Sequence, residues 1–171
     1  MPSIEERYVE KFRRSGELLQ KGQDLIPGGG HQSRAVRPHP VYIDEARGAI
    51  KWDADGNELI YHMLGFGALI LGNAHPVVTK AVARRLENGT HMGTLTQLEL
   101  KWAKLVKNLI PSAELVRFTS SGTEATLLAL RLARGFTGKT KLVKFREHFH
   151  GWNDYVASGS GITTEVGIPK E

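Results

Sequence analysis

Ser121-Gly122-Thr123-Glu124-Ala125 sits between a short β-type run, Leu115 to Thr119, and a strongly helical one, Leu127 to Arg134. A strand, a small-residue turn and a helix N-terminus make an anion site. The first-turn N–H groups of a helix have no intrahelical partner, and the helix dipole places partial positive charge there. Gly122 lets a ligand approach the backbone, and Ser121 and Thr123 add hydroxyl donors. The chemistry on offer is the binding of a phosphate ester. The same residues also read as a well-capped helix, because Ser121 with Glu124 three residues later is a capping box. A second signal, His148-Phe149-His150-Gly151-Trp152, follows another β-type run, Lys141 to Phe145. Phe149 offers a ring face for stacking, although core packing explains most Phe residues. His148 and His150 lack a third ligand, so no metal site is expected.

These residues must be positioned by the elements around them. Strand, helix and strand with short links form a βαβ unit, whose two strands should be parallel. In doubly wound folds ligands sit beyond the carboxyl ends of the strands. The Ser121 turn and the Phe149 segment could therefore line one crevice. Parallel sheets need several strands with both faces covered. Only two such strands are visible, and after Asp154 the chain turns Gly/Ser/Thr-rich. The expectation is a sequence cut short.

Upstream, Ser3 with Glu6 reads as a capping box opening a helix, with Ile4, Tyr8, Phe12 and Leu19 near one face and Gly22 as its stop. Pro27-Gly28-Gly29-Gly30 should be irregular. Short strands at 41–43, 49–52 and 58–61, with turns at Arg47-Gly48 and Asp55-Gly56-Asn57, suggest an antiparallel meander. Pro76 suits the first turn of a helix to about Asn88, with Gly89 beyond it. Thr96 with Glu99 opens another helix, whose apolar face carries Leu98, Trp102, Leu105 and Leu109. The expected division is an N-terminal segment over 1–75 and the start of a larger domain over 76–171.

The 171 residues carry 23 Lys and Arg against 18 Asp and Glu, but the basic residues are scattered, so no nucleic-acid footprint is read. There is no Cys, hence no disulfide framework and no thiol nucleophile. The start of the chain lacks an apolar signal core, and its longest apolar run is too short to span a bilayer. The expected location is the cytoplasm, with no membrane partner.

Five motifs then occur in order across 27–151. They are Pro27-Gly28-Gly29, the Trp52–Glu58 turn, Gly67 through Pro76, Ser121 through Ala125, and Phe149-His150-Gly151. This order resembles class III aminotransferases, which are pyridoxal-phosphate (PLP) enzymes of fold type I. The similarity is greatest to the branch containing glutamate-1-semialdehyde 2,1-aminomutase and related β- and ω-amino-acid transaminases. The resemblance implies an α/β fold: a small antiparallel meander followed by the start of a mainly parallel α/β/α sheet. It covers the N-terminal part of an enzyme more than twice this length.

The resemblance also implies roles. Ser121, Gly122 and Thr123 would hold the cofactor phosphate, Phe149 would stack on the pyridine ring, and His150 and Gly151 would shape the wall beside it. Phe66 falls where relatives often carry Trp near the substrate. Arg34 falls near an Arg that binds substrate carboxylate in some relatives, and a guanidinium fork suits a carboxylate. A solvated surface Arg is the other reading of Arg34. The family's Schiff-base Lys and the Asp that pairs with the pyridine nitrogen have no match, so no catalytic residue is assigned. None of Lys139, Lys141, Lys144 or Lys170 lies in the matching context. This polypeptide alone is expected not to transaminate.

The implied whole enzyme is a homodimer that moves an amino group between an amino acid or amine and a keto acid or aldehyde. The aminomutase, shifting the amino group within one substrate, is the alternative. Gly30-His31-Gln32-Ser33-Arg34 departs from the aminomutase pattern and leans toward a transaminase. A non-catalytic pseudoenzyme or interaction module is a third reading. A generic phosphate-binding domain would need a P-loop Lys or a Rossmann fingerprint, and neither is present.

Overall fold

A computed structural model describes residues 1–30, 36–159 and 166–169. They belong to two compact units, Met1–Met92 and Gly93–Glu171.

The first unit opens with α1, Ile4–Lys11. The Ser3 hydroxyl accepts from Glu6 N–H at 3.1 Å, and the Glu6 carboxylate accepts from Ser3 N–H at 2.6 Å. Both halves of the expected capping box are therefore formed. The single helix expected as far as Gly22 is instead two. The backbone leaves helical geometry at Phe12 (φ −113°, ψ 37°) and resumes as α2, Arg13–Gln23. Phe12 is buried, with its ring 4.7 Å from that of Tyr8, and Ser15 on the next turn is fully buried. Gly22 lies inside α2 and is not a stop. A Cβ there would fall 2.5 Å from the Gly29 carbonyl oxygen, so Gly22 is the contact that lets the next turn lie on the helix. That turn, Pro27–Gly29, is a short 3-10 segment where irregular chain was expected. The Tyr42 hydroxyl donates to the Gly29 carbonyl at 2.6 Å, and Tyr42 N–H donates to the Ser15 hydroxyl at 3.0 Å.

The expected meander is present as β1 (Ile43–Arg47), β2 (Ile50–Asp53) and β3 (Glu58–Ile60), antiparallel in the order β1-β2-β3. Glu45 pairs with Trp52, which in turn pairs with Glu58. The first strand runs later than expected because 43–47 supplies the edge that β2 pairs with. Asp53 closes the second turn. Its Oδ1 accepts from the N–H groups of Asp55 and Asn57 at 3.0 and 2.7 Å, and its Oδ2 accepts from Asn57 Nδ2 at 2.9 Å. Helix α3, Pro76–Leu86, begins on the expected proline.

The second unit holds α4 (Gln97–Leu109), α5 (Gly122–Thr137) and α6 (Asp154–Ala157). The Thr96 hydroxyl caps α4 through Glu99 N–H at 3.4 Å. Trp102 stacks on Phe118 with centroids 3.8 Å apart and planes 11° from parallel. Val156 and Ala157 are buried, whereas Leu115, Phe136 and Val143 are almost fully exposed. Among the described residues, the runs Leu115–Thr119 and Lys141–Phe145 join no ladder. A strand's N–H and C=O groups need a neighbouring edge, and no described segment offers one to these two runs. The strand–turn–helix order around Ser121 is kept without the parallel pairing.

Candidate functional site

The site is built on the N-terminus of α5. Ser121 is the extended N-cap residue (φ −153°, ψ 160°), and its hydroxyl accepts from Glu124 N–H at 3.2 Å. The Glu124 carboxylate reaches one residue further back than a capping box requires, accepting from Ser120 N–H at 2.7 Å. The cap therefore occupies the donors of Ser120 and Glu124. The N–H groups of Gly122 and Thr123 find no acceptor among the described residues. A Cβ added at Gly122 would meet nothing within 4 Å, so the approach to these donors is open. Cap and anion cradle are compatible because they use different N–H groups.

The Phe149 segment is brought onto this turn by Gly151. Its φ of +115° disfavours any side chain. A Cβ there would lie 3.0 Å from Thr126 Oγ1, 3.1 Å from Thr123 Cα and 3.2 Å from Thr123 Oγ1. Trp152 N–H donates to the Thr123 hydroxyl at 3.3 Å. A hydroxyl accepts and donates at once, so this bond leaves the Thr123 O–H hydrogen available to a ligand. The two sequence signals thus meet, with Thr123 as the shared residue. Phe149 is half-exposed, with Trp152 edge-on to it at 6.0 Å, so it is not a core residue here. The Nε2 atom of His150 is buried and has no partner among the described residues.

A groove of about 430 Å³ runs along the flank of α5, lined by Arg117, Phe118, Ser120, Glu124, Leu127 and Arg131. Gly122, Thr123 and Phe149 do not line it. Its walls mix Glu124 with two arginines and apolar side chains, and the Gly122 and Thr123 N–H groups lie outside it. The backbone donors at the helix start and the arginines of the groove are therefore separate features of α5.

Phe66 belongs to the other unit. It is exposed, with a left-handed backbone (φ 58°), next to Gly65, whose N–H donates to the Tyr61 hydroxyl at 2.7 Å. Arg34 and Lys170 lie outside the described residues. Lys139 and Lys141 are exposed, and Lys144 is half-buried. Among the described residues no group of three His, Cys, Asp or Glu could hold a metal, and no helix is long and apolar enough to cross a membrane. Thr126, Trp152 and Lys144, to which the sequence assigned no role, join the site or its support here. The available signals were a Thr one turn into the helix and a Lys between two large apolar residues.

A family model for class-III aminotransferases matches residues 31–167. A protein named glutamate-1-semialdehyde 2,1-aminomutase 2, from Exiguobacterium sp., is 44% identical over 169 residues, covering 92% of this chain and 39% of that protein. An ω-transaminase from Sphaerobacter thermophilus superposes with a TM-score of 0.81 at 35% identity, over 85% of this chain and 34% of that one. A transaminase solved with PLP bound gives the same TM-score and identity, over 85% of this chain and 35% of that one. The chain spans about two fifths of the length of the curated relatives it matches.

Proposed function

Because this chain belongs to the class-III aminotransferase family, whose cofactor is PLP, we propose that its α5 turn and Phe149 loop are the phosphate and ring-face parts of a PLP site. The fold is that of the N-terminal part of a fold type I PLP-dependent transferase. One observation carries the proposal. Gly151 and Trp152 pack on Thr123 while, among the described residues, the N–H groups of Gly122 and Thr123 have no acceptor.

The residues fit the group. Two such backbone donors at a helix N-terminus suit a phosphate, and the hydroxyls of Ser121 and Thr123 each keep a hydrogen to donate. The half-exposed Phe149 ring offers a stacking face for the pyridine. The orphaned His150 Nε2 gains a partner if a polar edge of the cofactor or substrate lies beside it. PLP, when bound, supplies an electron sink for bonds broken at the amino-bearing carbon. This chain holds the phosphate, orients the ring and walls its side. Lys144 is already hydrogen-bonded to backbone carbonyls, so we give it no covalent role.

In the whole enzyme, 1–75 would form the small N-terminal segment and 76–171 the start of the cofactor-binding domain. Arg34 would meet a substrate carboxylate, and Phe66 would lie near the substrate. The enzyme would be a homodimer, moving an amino group between an amino acid or amine and a keto acid or aldehyde. Similarity to proteins named aminomutases favours a second reading, a shift of the amino group from C2 to C1 within one substrate. Turnover without a separate keto acceptor separates the two.

The site itself is tested by titrating the 171-residue chain with pyridoxine 5′-phosphate, which has no aldehyde and cannot react with lysines. Saturable binding that weakens in Thr123→Val is expected. Binding unchanged in Thr123→Val, or no binding at all, overturns the proposal.

A further inference from the structure

The loop that carries Phe149, His150 and Gly151 is closed at its base by Lys144. The Lys144 ammonium donates to the Val156 carbonyl at 2.9 Å and to the Ser158 carbonyl. Three residues later, Glu147 N–H donates to the Gly159 carbonyl at 2.7 Å. Residues 144–159 therefore leave and return to the same place, as in an Ω-loop. Inside the closure, Val156 and Ala157 are buried, and Gly151 is seated on Thr123. Lys144 is half-buried although its neighbours Val143 and Phe145 are exposed. Its position is explained by the two carbonyls at the end of α6, which otherwise lack helical partners.

We propose that Lys144 is a positioning residue: it clamps the 144–159 loop so that Phe149, His150 and Gly151 are presented to the N-terminus of α5. It touches no part of the proposed ligand and acts through the loop. The inference rests on the PLP-site reading for what the loop presents, but the clamp itself is a property of this chain alone. Two carbonyls accept from two of the ammonium's three donors in charge-assisted bonds, which an apolar side chain cannot replace. Arginine keeps the charge and the donors, so it should restore much of the closure.

The test uses the 171-residue chain as wild type, Lys144→Met and Lys144→Arg, with two readouts. The first is ligand-free: acylation of lysines by sulfo-NHS acetate, read by mass spectrometry, and hydrogen exchange over 145–159. In wild type, Lys144 should react about tenfold more slowly than the exposed Lys139 and Lys141, in line with two charge-assisted bonds. Lys144→Met should lose exchange protection in 147–157 while α5 keeps its own, and Lys144→Arg should recover it. The second readout is binding of inorganic phosphate compared with pyridoxine 5′-phosphate. Lys144→Met should weaken the ring-bearing ligand about tenfold and leave inorganic phosphate within about twofold, because only the ring needs the loop. Equal reactivity of the three lysines, or unchanged exchange in Lys144→Met, overturns the clamp. A clamp seen by exchange with no binding of either ligand to wild type keeps the closure and removes the PLP-site reading. Equal weakening of both ligands in Lys144→Met, with α5 protection lost, shows a general structural role and overturns positioning.

Discussion

The Asp53 turn and the Ser121 turn are both short polar segments that close a structural element, yet they treat their hydrogen-bonding groups in opposite ways. Around Asp53 the groups saturate one another. The buried carboxylate accepts from two backbone N–H groups and one side-chain amide, and the same Asn57 amide also donates to the Lys11 carbonyl. Around Ser121 the cap is made, but the next two N–H groups, the Thr123 O–H hydrogen and His150 Nε2 remain unspent among the described residues. A saturated buried network fixes a shape, whereas unspent donors at an open helix end invite a ligand. The first turn uses its hydrogen-bonding groups to fix its own shape, and the second keeps donors that the proposed ligand would use.

Asp53→Ala should break the saturated turn with the largest effect. It strips three donors of their acceptor at a buried position, at a cost of about 3 kcal/mol. Hydrogen exchange should show protection lost over 43–60 and kept over 122–137. Loss in both units together would mean that the two turns are not independent. Gly151→Ala should come next, at about 2 kcal/mol of loop docking, because the new Cβ must both adopt a left-handed backbone and displace Thr123 or Thr126. Exchange at Trp152 N–H reports it directly. An unchanged rate would show that the contact with Thr123 does not hold the loop.

Much of this contrast was legible in the residues, for a physical reason. Ser3, Thr96 and Ser121 were read as caps, and each hydroxyl accepts from the N–H three residues on. Caps are local, so three or four residues are enough to specify them. The meander was legible for the same reason, through its Gly-marked turns. The break at Phe12 and the contact of Gly22 with Gly29 were not legible, because they depend on what packs against α1 and α2 from elsewhere in the chain. The parallel ladder was expected from the βαβ order, but order alone does not supply a partner edge for Leu115–Thr119. At the site, Ser121, Gly122, Thr123, Phe149 and His150 were marked by sequence. Lys144 was not, because the carbonyls that explain it lie 12 and 14 residues away.

The two caps allow a finer comparison. Ser121→Ala and Ser3→Ala each remove one side-chain acceptor at a helix start, so each should cost about 1 kcal/mol. Their consequences should diverge. The Ser121 change frays the turn that holds the unspent donors, so binding of pyridoxine 5′-phosphate should fall by more than helix content, measured by circular dichroism, would suggest. The Ser3 change should leave that binding alone. Equal effects on binding would remove the functional distinction between the turns.

The smallest expected effect is a pH dependence confined to the saturated unit. Burial raises the Tyr8 phenol above its ordinary value, and its hydroxyl donates to the His39 carbonyl at 2.7 Å. An unfolded Tyr gives up its proton near pH 10, while the folded one holds it to higher pH. Over that window the native state binds more protons than the unfolded state, so stability falls as pH rises. The contribution is fully present below about pH 10 and is lost as pH passes the raised native value. Urea midpoints of the first unit between pH 8 and 11.5 should decline at the alkaline end, and Tyr8→Phe should flatten that part of the decline. In the second unit the Arg134 guanidinium lies over the face of the Tyr155 ring, 4.3 Å from its centroid. Exchange protection of α5 should therefore not follow the Tyr8 profile. If α5 does follow it, alkaline loss of structure is global and the phenol of α1 is not its cause.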